Sequence, residues 1–347
     1  MQDMENGGTL KFAVLGTGFW AGYQLAGWRE LAGVKPIAFY NRSIEKAAAL
    51  AHQFGVENVY GNVDELLDKH AHELDFVDII TDVSTHAMLT EKAAERGLDV
   101  ICQKPMAPTL ETAAGMVDTC RAANVALYIH ENFRFQAPIR KLKEVLLSGV
   151  IGQIFKANVA FCSGFPVFDN QPFLKDLDEF IITDIGSHVL DIARFLFGEV
   201  ASLYCHTARI NAEIKGEDVA NVLLRMRNGV SCYVEMSYAT IKERESFPQT
   251  LVTVEGEKGT VALLNDYEIR VTTIAGTTIL KAEPKLYPWI DPAYAVVHAS
   301  IVDCNRDILE SLQGKKNAET TGTDNFETIR LVHAAYRSAR ENMVIYI

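Results

Sequence analysis

An apolar stretch in the middle of the chain carries three ionisable side chains near its start. The segment TDIGSHVLDIARFLFG, residues 183–198, has the apolar spacing of a helix, yet Asp184, His188 and Asp191 interrupt it. Asp184 and His188 are four residues apart, so a regular α-helix places both on one face. Asp191 could share that face or orient the imidazole of His188. A carboxylate beside an imidazole suits proton transfer, although a first-turn carboxylate and a buried core histidine would also account for the pair.

A second polar pair follows an apolar strand in VICQKPMAPTL, where Gln103 and Lys104 come directly after the run VIC. Ligands of doubly wound sheets bind at the carboxyl ends of the strands, so Lys104 is placed to bring positive charge to a ligand. The alternative is an ordinary surface lysine after a strand.

A glycine-rich turn near the start of the chain predicts a dinucleotide site. In AVLGTGFWA, Gly16, Gly18 and Ala21 have the G-x-G-x-x-G/A spacing between a strand and a helix. Gly16 permits the tight turn, Gly18 permits close approach of a pyrophosphate, and Ala21 permits close packing of helix on strand. We expect Phe19 and Trp20, which open that helix, to lie beside the cofactor. A purely structural glycine turn is the alternative.

The sequence at the end of the second strand leaves the choice between NAD and NADP open. NAD-binding folds usually carry an acidic residue there, whereas this chain has YNRS, with Asn41 and Arg42. Asn41 can bond a free ribose hydroxyl, and Arg42 can stack on adenine, pair with a 2′-phosphate or stay solvated. Because Asn41 removes the carboxylate that would repel a 2′-phosphate, these residues alone favour NADP. Together with the family resemblance described below, we predict NAD, with NADP as the alternative.

The elements that must position these residues form two halves. Residues 9–130 alternate short β-branched runs with helical periods, which predicts a Rossmann domain with a doubly wound parallel sheet. Residues 131–347 carry long alternating strands such as GVSCYVEMSYA, which indicate a second α/β domain with an open, mostly antiparallel sheet for substrate binding and oligomerisation. Because no obvious helix covers one face of that sheet, we expect a homodimer or homotetramer.

Composition excludes several classes of protein. The 347 residues are 48% hydrophobic and carry a net charge of -12, which argues against a nucleic-acid partner. No apolar run approaches the about 20 residues that cross a bilayer, and the opening MQDMENGGTL has no leader pattern, so we expect a cytoplasmic protein without a membrane partner. The six cysteines lack zinc-ligand spacing, so we expect no metal site.

Four motifs, in order and spacing, resemble the Gfo/Idh/MocA family, which includes glucose-fructose oxidoreductase and inositol dehydrogenase. They are GTGFWA, TDVSTHA, QKP and DIGSHVLDIARFLFG, and the similarity continues into AETTGTDNFETIRLVHAAYRSAR near the end of the chain. The resemblance implies an NAD(P)-dependent dehydrogenase whose catalytic Lys, Asp and His fall on Lys104, Asp184 and His188. It also implies that Asp82 and His86 lie near the nicotinamide half of the cofactor.

The chain departs from the family pattern at two places. Gln103 replaces the usual Glu of a Glu-Lys-Pro segment, which keeps a hydrogen bond to the cofactor available but removes a charge beside Lys104. The TDV of residues 81–83 stands where many members have an Asn-Pro or Thr-Pro turn.

Within the family, VICQKPMAPTL, HENFRFQ and SGFPVFDNQPF most resemble members that oxidise a branched aldopentose to its lactone with NAD. We therefore predict a sugar substrate, held by Lys104, Asp184 and His188 together with a further set of pocket residues. That set is Asn132, Arg134, Phe165 and Asn170. Neutral His188 would accept the hydroxyl proton, Lys104 would favour the developing alkoxide, and Asp184 would hold a neighbouring hydroxyl. The alternatives are a dehydrogenase of another sugar or cyclitol and a non-enzymatic dinucleotide sensor.

Overall fold

The computed structural model describes residues 8–347. The stretch before Gly8, on which part of the argument against a leader rests, lies outside the described residues. By their contacts the residues form two compact units. The first extends to Asn132 and also contains Ile301–Glu327, and the second consists of Phe133–Ser300 and Thr328–Ile347. The assignment of these units as separate domains stays a prediction.

The first unit contains a six-stranded sheet in the order β3-β2-β1-β4-β5-β6, and every pair in it is parallel. Its strands are β1 Leu10–Leu15, β2 Val34–Tyr40, β3 Asn58–Tyr60, β4 Phe76–Ile79, β5 Asp99–Gln103 and β6 Leu127–His130. Its helices are α1 Phe19–Arg29, α2 Ile44–Phe54, α3 Val63–His70, α4 His86–Ala94 and α5 Leu110–Ala122. The predicted Rossmann sheet is confirmed.

The strand order creates a crevice at the carboxyl edge of this sheet. The chain leaves β1 toward one side and β4 toward the other, so the turns that follow these neighbouring strands diverge. The glycine turn follows β1, Asn41 follows β2, Asp82 follows β4, and Lys104 follows β5. The predicted cofactor residues of this unit therefore share one edge.

The second unit contains a nine-stranded sheet in the order β14-β13-β12-β11-β7-β10-β9-β8-β15, in which β7 and β10 are parallel and the other pairs antiparallel. Its strands are β7 Ile154–Cys162, β8 Val200–Ala208, β9 Val219–Met226, β10 Ser231–Ser237, β11 Leu251–Gly256, β12 Gly259–Leu264, β13 Glu268–Thr273, β14 Gly276–Lys281 and β15 Ile345–Tyr346. The remaining α-helices of residues 8–347 are α6 Ala137–Leu147, α7 Val167–Asn170, α8 Ser187–Phe197, α9 Ala295–Leu312 and α10 Gly322–Glu341. The predicted mostly antiparallel sheet is confirmed.

Alternation of side chains decides which face of this sheet is covered. In β10, Cys232, Val234 and Met236 are buried in the core beneath α8, whereas Ser231 and Tyr233 on the other face are exposed.

Within residues 8–347, no helix is both long and apolar enough to cross a membrane.

The structure differs from the sequence prediction at the end of the chain. Residues 301–327, predicted to belong to the second half, cluster with the first unit. Asn305 explains this placement. Its side-chain oxygen lies 2.9 Å from Nε2 of His130, and its side-chain NH2 group donates to the backbone oxygen of Gln24 at 3.3 Å. A further difference is that β3 and α3 had not been predicted.

Candidate active site

The glycine turn has the shape that a dinucleotide requires. Gly16 has a φ of +107°, and a Cβ on it would meet the backbone oxygen of Ile80 at 2.3 Å, so only glycine fits there. Gly18 is the N-cap of α1, and a Cβ on it would meet no atom within 4 Å. Open space in front of a helix N-terminus suits the pyrophosphate of NAD, so the residues present fit this cofactor. Ala21 is fully buried against the sheet.

Other predicted cofactor residues surround this turn. The Asn41 amide nitrogen donates to the Thr17 hydroxyl at 2.7 Å, and its oxygen accepts from Ser43 N–H at 3.0 Å. Asn41 is thereby oriented by the glycine turn itself. Arg42 is exposed, Phe19 is 74% exposed, and Trp20 is half-buried.

The turn after β4 is shaped by Asp82. Its carboxylate accepts from the backbone N–H of Ser84 at 3.0 Å and from the Ser84 hydroxyl at 2.5 Å. These hydrogen bonds hold the pKa of Asp82 below its usual value, with smaller contributions from the charges of His86 and Arg42. Asp82 therefore stays ionised and closes the turn that leads into α4.

His86 ties that turn to the segment after Lys104. Its Nε2 lies 3.2 Å from the backbone oxygen of Thr81, and its Nδ1 lies 3.2 Å from that of Pro105. Burial lowers the pKa of His86, so the neutral ring donates one proton to these oxygens at a time. Gln103 is buried, and its side-chain oxygen accepts from Lys104 N–H at 3.3 Å. The backbone around Lys104 is thus held from both sides.

In the second unit, the segment that carries Asp184 is not a regular α-helix. Residues Ile182–Gly186 form a π-helical turn, and α8 begins only at Ser187. The expectation of a regular α-helix from Asp184 to His188 is therefore corrected, because the wider turn changes the rotation between them. Their placement on one face stays a prediction. The hydroxyl of Tyr238 on the adjacent strand end donates to the Asp184 carboxylate at 3.3 Å.

His188 lies in α8 against an aromatic ring. Its imidazole stacks on Phe133, with ring centroids 3.7 Å apart and planes at 7°. The next residue, Arg134, donates to both carboxylate oxygens of Asp191 at 2.7 and 2.5 Å, and Thr328 donates to the same carboxylate at 3.0 Å. Both members of this ion pair are buried. Asp191 therefore fastens the Phe133 segment to α8 and holds the ring against His188.

The other predicted substrate residues are distributed over both units. Asn132 is buried at the end of the first unit, and Asn170 is exposed at the end of α7. In the second unit, Phe165 stacks on Phe247 at a centroid distance of 3.8 Å, and both rings contact the edge of Tyr294. Substrate contact by Asn132, Arg134, Phe165 and Asn170 stays a prediction.

The structure therefore assembles two sets of predicted residues, one in each unit. Gly16, Gly18, Asn41, Gln103 and Lys104 share the sheet edge of the first unit, and Asp184 and His188 lie at the start of α8 in the second. Sequence reasoning missed Tyr238, Phe133 and Phe247, which orient or stack on predicted residues. Tyr238 and Phe133 lie within the quoted segments GVSCYVEMSYA and HENFRFQ, but nothing in the sequence indicated their partners.

Comparison with known proteins agrees with this geometry. The model of the oxidoreductase family with an NAD-binding Rossmann fold matches residues 10–131, and that of the GFO/IDH/MocA C-terminal domain matches residues 139–262. A D-apiose dehydrogenase of Rhizobium rhizogenes is 41% identical over 97% of this chain and 97% of its own. A D-apiose dehydrogenase of Paraburkholderia graminis is 41% identical over 96% of this chain and 89% of its own.

A solved structure is similar over the same length. It is an oxidoreductase from Agrobacterium radiobacter in complex with NAD+, L-tartaric acid and magnesium, with a TM-score of 0.95 and 41% identity over 97% of this chain and 98% of that chain. Fold and site together define an NAD-dependent oxidoreductase. The chain belongs to the GFO/IDH/MocA family.

Proposed function

We propose that this protein oxidises D-apiose, a branched aldopentose, to its lactone with NAD. The observation that carries this substrate is the full-length similarity to two D-apiose dehydrogenases at 41% identity. The residues that resemble such enzymes include Phe133, which stacks on His188, and Phe165, which forms an aromatic surface with Phe247. An aromatic surface suits the apolar C–H face of a sugar ring.

The proposed chemistry divides among three side chains. NAD, when bound, takes up the hydride from the oxidised carbon. His188 accepts the proton of the hydroxyl on that carbon, and the ammonium of Lys104 stabilises the negative charge that develops on the oxygen. Asp184, oriented by Tyr238, accepts a hydrogen bond from a neighbouring hydroxyl. The product is a ring carbonyl, the lactone, together with NADH and one proton held by the protein.

A panel of sugars with NAD, followed by absorbance at 340 nm, tests the substrate. D-apiose should have the highest kcat/KM, and a myo-inositol or hexose value tenfold above that of D-apiose would refute the proposal. The second candidate is another sugar or cyclitol dehydrogenase, which is favoured by similarity to an inositol 2-dehydrogenase of Rhizobium meliloti, 23% identical over 98% of this chain. If the protein binds NAD but turns over no sugar of the panel, the result would favour a non-enzymatic dinucleotide sensor.

Two substitutions test the proposed roles. Lys104→Met and His188→Asn should bind NAD like the wild type and lose at least ~10²-fold in turnover, the scale of a positioned acid-base group. Matched controls are Lys141→Met, which removes a surface lysine paired with Glu144, and His72→Asn, which removes an exposed histidine of the first unit. Turnover near the wild-type rate in either test variant would contradict the assignment.

We also infer that two copies pair through the open face of the nine-stranded sheet. A row of side chains crosses this face in register, with Tyr204 opposite Leu223 and Leu223 opposite Tyr233. Leu223 and Tyr233 are large apolar groups exposed on a polar surface, which suits a self-complementary interface. Light scattering should give a dimer or tetramer mass for the wild type and a smaller mass for Leu223→Glu, with Ile274→Glu in the exposed β13–β14 turn as control. A monomeric wild type at micromolar concentration would refute the interface.

A further inference from the structure

A carboxylate is buried beneath the sheet edge that carries Lys104. Asp78, in β4, is fully buried and accepts hydrogen bonds from two side chains of α1 that are four residues apart. The Gln24 amide nitrogen lies 2.8 and 2.9 Å from its two oxygens, and the Trp28 indole N–H lies 2.8 Å from one of them. The strand β4 lies between β1 and β5 in the sheet, so Asp78 has no contact with solvent that would explain a charged residue at this position.

The hydrogen bonds continue from Asp78 to the edge of the sheet. Asp78 is opposite Ile101 in the register of β4 and β5, so Gln103, two residues further on, points to the same face. The side-chain oxygen of Gln24 accepts from the amide nitrogen of Gln103, and the side-chain oxygen of Gln103 accepts from Lys104 N–H. We call the series Asp78, Gln24, Gln103 and Lys104 N–H the amide relay.

The buried carboxylate of Asp78 determines which group donates and which accepts at each step of the amide relay. Above about pH 7, where Asp78 is ionised, its carboxylate only accepts hydrogen bonds, so Gln24 must turn its NH2 group toward Asp78 and its oxygen outward. Gln103 must then offer its own NH2 group to that oxygen, which leaves its carbonyl facing Lys104 N–H. A glutamine side chain can otherwise take two nearly isosteric orientations, and the buried charge selects one of them at each step.

We propose that Asp78 and Gln24 are positioning residues of the oxidoreductase site, which fix the amide orientation of Gln103 and, through it, the backbone at Lys104. The proposal rests on the proposed role of Lys104 in turnover. Its distinctive consequence is that the direction of the relay can be reversed. If Asp78 becomes an amide and Gln103 becomes a carboxylate, the bonds of Gln24 to both neighbours can form again with donor and acceptor exchanged, while Trp28 and Lys104 N–H remain donors.

The experiment is a double-mutant cycle on kcat, measured with the sugar of highest turnover in the panel, with saturating NAD, and at about pH 8.5, where Asp78 is ionised. In Asp78→Asn the charge that selects one orientation is lost, and in Gln103→Glu a second buried carboxylate faces the oxygen of Gln24. Each single variant should lower kcat at least ~10-fold, or about 1.4 kcal/mol, with the Kd for NAD within ~3-fold of wild type.

The double variant Asp78→Asn/Gln103→Glu restores a complete relay. The amide introduced at position 78 would accept from Trp28 and donate to the side-chain oxygen of Gln24. The NH2 group of Gln24 would then donate to the carboxylate introduced at position 103, which would still accept from Lys104 N–H. We expect kcat to return to within ~3-fold of wild type, which is a coupling that independent effects on two sites would not give.

Control and refutation use residues of the same sheet. Asp99→Asn, in β5, removes a carboxylate that accepts from Ala126 N–H outside the relay, and it should leave kcat unchanged. A double variant no faster than the slower single variant, or single variants with lowered melting temperature and wild-type kcat, would overturn the proposal. If Asp78→Asn does not fold, Gln103→Met removes the outer hydrogen bonds alone and should show the same loss of kcat. An active Lys104→Met variant would instead refute the role of Lys104, whatever the cycle shows.

Discussion

The ionisation of Asp78 makes a quantitative prediction about stability. Complete burial raises the pKa of this carboxyl to about 7 in the folded protein, against hydrogen bonds from Trp28 and Gln24 that lower it. In the unfolded chain the pKa is about 3.9. Between these two values the folded state binds more protons than the unfolded state, so stability falls as pH rises. The contribution is fully present below about pH 4 and is lost as pH rises through about 7.

Comparison of wild type with Asp78→Asn isolates this effect, because all other groups titrate in both proteins. Each pH unit in the window changes the free energy of unfolding by about 1.4 kcal/mol, so from pH 5 to pH 8 the wild type should lose roughly 2.5 kcal/mol relative to the variant. Urea unfolding followed by tryptophan fluorescence measures this difference, since Trp28 contacts the carboxylate directly.

A surface variant controls for the removal of a charge. Asp118→Asn takes away an exposed carboxylate of α5 that pairs with Arg121, and its stability should follow the wild type across the pH range. If Asp78→Asn and wild type also show the same pH dependence, Asp78 ionises as easily in the folded protein as in the unfolded chain, and the reasoning from burial fails.

Three further substitutions test other parts of the two units. Asn41→Asp places a carboxylate at the end of β2 and should lower kcat/KM for NADP at least ~10-fold by repulsion of the 2′-phosphate, with the value for NAD within ~3-fold, as measured at 340 nm. Tyr238→Phe removes the donor to Asp184 and should raise the sugar KM about 5-fold with little change in kcat. Asp191→Asn leaves the charge of Arg134 buried without its carboxylate, which costs about 3–5 kcal/mol and should lower the melting temperature in a thermal shift assay.

The sheets could be predicted because their strands have clear apolar periods. In β10, the alternation of Cys232, Val234 and Met236 with polar residues gave the covered face directly. The strand β3 has only three residues, too few to show a period. Residues 301–327 were expected in the second half but cluster with the first unit, because their partners, such as His130, are distant in sequence. Local pattern determines the elements, whereas distant pairs determine which unit an element joins.

The candidate site shows the same division. The placement of Gly16, Gly18 and Lys104 at the sheet edge could be predicted, because each follows a strand with a clear apolar pattern. The geometry around Asp184 could not, because a π-helical turn results from packing and has no spacing of its own in the sequence. Asn41 was predicted correctly as a residue after β2, but its bond to Thr17 follows from the fold of the glycine turn.

Asp78 is the residue that sequence reasoning passed over, and its position explains why. In FVDIIT it looks like one polar interruption of an apolar strand, and its donors Gln24 and Trp28 lie 54 and 50 residues away. An apolar residue of similar volume at such a site is often neutral or stabilising, because removing a charge from water is costly. A stability role alone therefore accounts poorly for this carboxylate. Above about pH 7, where it is ionised, the Asp78 carboxylate accepts hydrogen bonds and never donates them. No apolar side chain can do this, and it gives Gln24 and Gln103 one orientation at the edge where Lys104 lies.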